Sequence, residues 1–555
     1  MDSVLNQLVQ SQLLSTIDDM GQVLARNAAS REIAEERDFA IAIVREHGEV
    51  VALDNLVHLG AVADTAARIQ ELFQFGMKAG DVILSNDPYS GGTHVQDFTV
   101  LAPFHHKREA ICYLVCRAHL PDLGGQVQGG YFPFADDVWA EGSRIPPLKI
   151  VQEGKIIGDK LDAVVINSRC PDLFTISLQA MLAALTTGQS RLEVIIKKYG
   201  SVNVKEAMRA SIAATEIELA TAMSGWQHGT YEGVSVIDHD VKRGDPLEIR
   251  AVLTVSADKL IIDLSDSSSQ SPGFVNSTRS NTVGYALVAL YAGISGRAPV
   301  NSGLLARTQI VTKEGTLVQA AFPAAVGWGP YHPGAEIICA VSSALSHILP
   351  GEVTILGTKP MMLVAHWRSA GLSFPLHTLL RAGASASRGV DGWGTPGPLS
   401  RGLTPSVEAL ETERPIMVEK LELAGDSAGL GHWRGGFGLS AEFSFTSPAV
   451  VDVIVEGRQY PIEASVGGTC GGSNGVEIDG QAVERVAWNV ALPNARLSAW
   501  CGGGGGWGKP EEREAQSIQR DIDDELVSAD IAAVGAEKNR ITESWAGSPV
   551  VKVQG

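Results

Sequence analysis

The sequence is short of cysteine, of aromatic side chains, of basic charge and of long apolar runs, and most of these shortages remove a class of protein. Six cysteines in 555 residues, at positions 112, 116, 170, 339, 470 and 501, are too few and too scattered for the disulfide lattice of a small secreted domain. They read as free thiols. Cys112 and Cys116 stand four apart in the apolar run AICYLVC, a spacing that puts both on one face of a strand, and no second pair follows to complete a thiolate zinc site. No stretch reaches the roughly 20 apolar residues of a spanning helix, and the longest candidate, GYALVALYAGISG, reads as a buried helix. The start, MDSVLNQLVQSQLL, has neither a basic n-region nor a small-residue cleavage site, so a cytoplasmic protein without a membrane partner is expected. Lys and Arg number 44 against 63 Asp and Glu, a net charge of −19, which argues against the clustered basic surface that nucleic acid requires.

What is present is globular. Hydrophobic residues make up 45% of the chain and charged residues 19%, and the length exceeds what one core usually supports, so several domains or subdomains are expected. Leu5, Leu8, Val9, Leu13, Ile17, Met20 and Leu24 recur at helical spacing near the start. DFAIAIVREHGEVVAL reads as a β-hairpin, with Asp38 opening its first strand, and VADTAARIQELFQFG as a helix. VILS, FTVLAPF and AICYLVCRAHL supply further strands, and residues 205–222 and AEIICAVSSALSHILPG further helices. After 420, short runs such as SAEFSFT and VVDVIVE alternate with glycine-rich turns, so that part is read as β-rich, followed by a helix starting at Pro510. Three regions follow: 1–240, α+β with the candidate site; 241–420, mixed; and 421–555, β-rich with a late helix.

Two motifs fail on chemistry. CGGGGGWGKP places Gly503, Gly508 and Lys509 at phosphate-loop spacing, but Pro510 stands where a Ser or Thr hydroxyl is required. GDSAG around Ser427 fits a nucleophile elbow, yet a glycine-rich LGHWRGGFG follows in place of a helix. His105 and His106 lie beside Lys107 and Arg108 in a polar hairpin turn and read as solvated. The constellation that survives is NDPYSGGTHVQD with RAHLPDLGGQ. His94 and Asp97 precede one strand and His119 ends another, each against a glycine-rich loop where a rigid scaffold presents side chains. Nitrogen and carboxylate donors without thiolate suit Zn²⁺, Mn²⁺ or Fe²⁺. The alternative is structural: His94 capping the turn made by Asp87, and His119 a hydrogen-bonded core histidine.

The blocks ERDFAIAI, NDPYSGGTHVQDFTV, RAHLPDLGG, EGSRIPP, NSRCPD, PVNSG, RGGFG and GGGGGWGKP occur in the order of the hydantoinase B and oxoprolinase family, which this chain resembles along nearly its whole length. The resemblance implies an α+β, mixed multi-layer fold with a β-rich C-terminal part. It implies metal ligands at Asp38, His94, Asp97 and His119, with coordination positions left open for water or substrate. Asp122 is the candidate for orienting His119 or accepting a proton, with Asp87 as runner-up. The implied activity is ATP-dependent opening of a small cyclic amide (a hydantoin, oxoproline or lactam), with ATP bound by a hydantoinase A-type ATPase partner in a heterotetramer. The alternative is a ketone carboxylase subunit of the acetone or acetophenone carboxylase type. Leu120 departs from the histidine or tryptophan that often follows the ligand histidine in the family, and is expected to make the pocket less polar.

Overall fold

The structure, a computed structural model of the chain, describes residues 3–74, 76–294, 296, 298–367, 376–394 and 406–536. The end of the expected C-terminal region, 537–555, lies outside them. Two compact units form: one from the described residues of 3–232 and 249–337, the other from those of 233–248, 338–394 and 406–536.

The first unit is built on a seven-stranded sheet. Its strands are β1 (Phe39–Val44), β2 (Val50–Leu53), β3 (Val82–Ser85), β4 (Asp97–His106), β5 (Glu109–His119), β6 (Leu148–Gln152) and β7 (Lys155–Ile156). They lie in the order β2-β1-β5-β4-β3-β6-β7, every pairing antiparallel. All six residues of β1 are buried, which explains a continuous apolar FAIAIV where a half-exposed strand would alternate. One face is covered by the helices Ser3–Asn27 and Pro171–Tyr199. In the first, Val9, Leu13, Ile17, Met20 and Leu24 are buried at three- and four-residue spacing, each contributing about 1.5–3 kcal/mol; Leu8, expected on that stripe, is exposed. The second helix opens with Pro171 at its first position and sets Phe174 edge-on against Phe98 of β4 at 5.2 Å. Gly188 allows the close approach, since a Cβ there would lie 2.4 Å from the Met20 sulfur. Even-numbered β5 residues, Cys112, Leu114, Cys116 and Ala118, point into this layer. The odd-numbered ones point to the opposite face, beside the helix Leu59–Leu72.

The second unit is mainly β, as the C-terminal composition implies. One sheet orders Leu376–Leu380, Met361–His366, Ala449–Ile454 and Val486–Leu492; a five-stranded sheet orders Ile416–Leu423, Leu439–Phe445, Arg496–Trp500, Gly475–Ile478 and Gln481–Ala482. The run Gly502–Gly506 is a packing device. Added Cβ atoms would meet the carbonyl oxygens of Gly472 at 1.7 Å from Gly502, Ala384 at 2.0 Å from Gly504 and Glu463 at 1.9 Å from Gly505. The late helix differs from the sequence reading. Pro510–Glu512 is a single 3-10 turn, and the α-helices are Ala515–Asp523 and Ala529–Ala536. The break falls at Arg513, whose extended backbone lets its guanidinium bond Asp391 and Asp521, each at 2.8 Å.

Candidate metal centre

Strand register assembles the centre. β4 and β5 pair so that Asp97 lies directly opposite His119, and β1 pairs with the other edge of β5, Phe39 opposite Ala118. The backbone carbonyl of Asp38, one residue before β1, accepts the His119 backbone N–H at 3.2 Å. Three neighbouring strands thus deliver Asp38, His119 and Asp97 to one end of the sheet, where directly opposed residues sit with Cβ atoms about 5 Å apart. His94 joins from the turn before β4, its carbonyl accepting from Asp97 N at 3.4 Å. One ligand atom from each of His94, Asp97 and His119 falls within 4.8 Å of the others.

His119 Nδ1 lies 3.6 Å from Asp97 Oδ1 and 3.9 Å from Asp38 Oδ2, and this buried nitrogen has no hydrogen-bond partner among the described residues. Both gaps are too long for a hydrogen bond. They match two donors sharing one ion, since atoms each bound at about 2.1 Å in a tetrahedral site are about 3.4 Å apart. Electrostatics agree. Burial alone would lower the His119 pKa, but the carboxylates of Asp97 and Asp38 outweigh it and raise it to about 9; the same negative field favours a divalent ion. Burial pushes His94 down to about 3, so its imidazole is neutral and fit to ligate. The Asp97 carboxylate stays well below its usual range despite burial, with the Arg117 guanidinium 3.0 Å from its Oδ2 helping to hold it there.

Several neighbours were not singled out from sequence. Arg117, buried on the same face of β5, donates to Asp97 Oδ2 at 3.0 Å, Thr93 Oγ1 at 2.6 Å and Thr99 Oγ1 at 2.8 Å. A charged residue on the inward face of an apolar strand, two before His119, was the available signal. His58, at the N-terminus of the Leu59–Leu72 helix, is buried with no hydrogen-bond partner on Nδ1 among the described residues; burial lowers its pKa to about 4 within the field of Asp97, Arg117 and His119. Tyr131 lies parallel to His119, ring centres 6.0 Å apart, with its hydroxyl 3.5 Å from His94 Nε2 and 3.3 Å from the Tyr331 hydroxyl. Trp328 stands 4.9 Å from Tyr331 and stacks on Phe274. The buried Glu141 fastens this wall, accepting from Val326 N at 3.0 Å and Gly327 N at 2.6 Å. These aromatic residues sit in loops remote in sequence and share no period with the ligands.

The Hydantoinase B/oxoprolinase family model matches residues 2–510. The chain belongs to that family. A caprolactamase subunit beta of Pseudomonas jessenii is 26% identical over 564 residues, 95% of this chain and 94% of the relative. The crystal structure of an ATP-dependent caprolactamase from Pseudomonas jessenii superposes with a TM-score of 0.88 at 25% identity over 98% of both chains. An acetone carboxylase in its nucleotide-free structure gives 0.85 at 16% identity, over 96% of this chain and 79% of that one, a likeness of fold. The α+β multi-layer expectation therefore holds.

Of the other residues that the hydantoinase B resemblance brought forward, Asp122 and Asp87 are engaged elsewhere. Asp122 takes Arg169 Nη1 at 2.8 Å and the backbone N–H groups of Arg169 and Gly129 at 2.6 and 3.1 Å; no hydrogen bond joins it to His119 among the described residues. Asp87 holds Arg144 through two bonds of 2.9 Å and caps the 3-10 turn at Tyr89 N and Ser90 Oγ. His94 does not cap that turn. Leu120 points into the helix-covered core, on the face opposite His119, so it does not line the centre and the expected loss of pocket polarity has no basis. Ser427 Oγ donates to Ala424 O at 2.6 Å and accepts from Gly438 N at 2.9 Å, the bonding of a turn.

Proposed function

We propose that this chain is the metal-bearing subunit of an ATP-dependent hydrolase of small cyclic amides, with Asp38, His94, Asp97 and His119 holding one divalent ion, Zn²⁺, Mn²⁺ or Fe²⁺. The observation that carries the reading is the buried, unbonded His119 Nδ1 facing two carboxylates at 3.6 and 3.9 Å. An ion there supplies Lewis acidity toward a carbonyl and acidifies water. The chain's own groups do the rest. Tyr131 and Tyr331 bring phenol hydroxyls to within 3.3 Å of each other over the histidines, and burial keeps the Tyr131 phenol protonated, a donor suited to an amide oxygen or departing nitrogen. Trp328 and Phe274 make the wall behind them apolar and exclude water. Asp87 and Asp122 anchor the loops that carry His94 and follow His119, a positioning role in place of proton transfer.

An amide is a poor electrophile, and ATP is assigned to a hydantoinase A-type partner, two copies of each chain making a heterotetramer. The relatives support this: one is a caprolactamase subunit beta, and one solved structure is of an ATP-dependent caprolactamase. The glycine-rich run before Lys509 is filled by neighbouring backbone, which leaves no phosphate cradle there. The carboxylase alternative rests on a fold likeness at 16% identity and is the weaker reading. The test is to co-produce the chain with its partner and follow ATP consumption, ring opening of caprolactam, hydantoin and 5-oxoproline, and metal content. Ring opening coupled to ATP, lost together with the ion in His119→Ala, is expected. Labelled bicarbonate carbon retained in product would move the protein to the carboxylase class, and ring opening without ATP would sink both.

A further inference from the structure

The hydroxyl of Thr93 sits among three polar groups that cannot all be served in more than one way. Arg117 Nη2 lies 2.6 Å away and only donates; Asp97 Oδ2 lies 2.7 Å away and, ionised beside Arg117, only accepts; His94 Nδ1 lies 3.0 Å away and does either. A hydroxyl has one proton and two lone pairs. One lone pair takes the Arg117 N–H, and the proton goes to Asp97, because two acceptor oxygens facing each other at 2.7 Å without a proton would repel. The remaining lone pair can only receive, so His94 must carry its proton on Nδ1. The Nδ1–H also faces Asp97 Oδ2 at 3.5 Å.

We propose that Thr93, fixed by Arg117, is the positioning residue that sets the His94 tautomer, leaving the Nε2 lone pair of His94 as the metal donor, and that the same pair holds back Asp97 Oδ2 so that Oδ1 alone is presented. The two histidines then ligate through different nitrogens: Nε2 of His94, the atom 3.5 Å from the Tyr131 hydroxyl, and Nδ1 of His119, the atom facing Asp97 Oδ1 and Asp38. Thr93 acts because it is a hydroxyl, not because of its volume. The inference rests on the metal reading for its effect on affinity, and on hydrogen-bond bookkeeping alone for the tautomer.

The test uses the full-length chain and Zn²⁺ or Co²⁺ itself. Thr93→Val keeps the shape and removes the hydroxyl; Thr93→Ser keeps the hydroxyl. Chelator competition is expected to show Thr93→Val binding the ion about 10–100-fold more weakly, with an altered visible spectrum of the Co²⁺ form, and Thr93→Ser within a few-fold of wild type. Equal affinity and spectrum in Thr93→Val would overturn the role. Should Thr93→Val fail to fold, ¹⁵N-histidine NMR of the wild type decides, with His94 assigned through His94→Gln: a protonated Nδ1 and bare Nε2 in the ion-free protein supports the lock, and the reverse tautomer refutes it. A wild-type protein that takes up no ion at all would defeat the metal reading, while the ion-free spectrum still decides the tautomer.

Discussion

Glu141 shows how one residue ties a backbone segment to solution conditions. Its carboxyl is buried and accepts two backbone N–H groups, yet burial dominates and raises its pKa from 4.5 to about 8. A carboxyl whose folded pKa exceeds its unfolded value binds its proton more tightly when folded, so stability falls as pH rises from the unfolded pKa to the folded one and is level above it. Between pH 5 and pH 8 the melting temperature of the wild type is therefore expected to fall relative to that of Glu141→Gln, which cannot ionise. Parallel curves for the two proteins would mean that the carboxyl is already ionised in the fold. Residues of this kind leave little trace in the sequence. Glu141 stands in EGSRIPP like any loop glutamate, whereas His94, Asp97 and His119 were legible because donor residues recur at strand ends. Arg117 and Tyr131 were missed because their roles depend on partners brought close only by the sheet and by loops more than a hundred residues apart.

At the scale of elements, the β4–β5 hairpin carries most of the centre; the polar run 105–108 marks its turn, but the turn itself is only Lys107 and Arg108, and His105 and His106, read as solvated turn residues, are half-buried members of β4 paired with Ala110 and Glu109. What the pattern could not supply was the register that sets Asp97 opposite His119, or the burial of β1 on both faces. The Pro171–Tyr199 helix was passed over, because its Thr, Ser, Gln and Gly residues interrupt the apolar stripe that Phe174, Leu178, Met181 and Leu185 make once folded. The turn before β4 depends on Gly91, at φ +101°, where an added Cβ would lie 2.5 Å from Thr65 N in the Leu59–Leu72 helix. Gly91→Ala is expected to cost about 1–3 kcal/mol from backbone strain alone and to displace His94. Urea unfolding with metal analysis checks both, and a variant with wild-type stability and full metal content would show that the turn accommodates the methyl.

For the whole molecule, the glycine content is concentrated where backbone meets backbone. Gly504 lies so near Ala384 O that a Cβ would be 2.0 Å away. A Gly504→Ala protein is therefore expected to be recovered largely insoluble or with a strongly lowered melting temperature, measured by soluble yield and circular dichroism; a well-folded variant would contradict the packing described. The β-rich character of this unit was legible from its short strands, but its boundaries were not. Neither unit is one continuous stretch of chain: residues 233–248 leave the first for the second, and the chain returns before leaving again after 337. Anyone seeking to express the half that carries the candidate centre alone has no single cut to make. A gene truncated after residue 232 would discard the 249–337 segment that supplies Trp328 and Tyr331, so a minimal fragment holding the whole candidate centre has to be a splice, joining 3–232 to 249–337 through a short linker in place of the excursion.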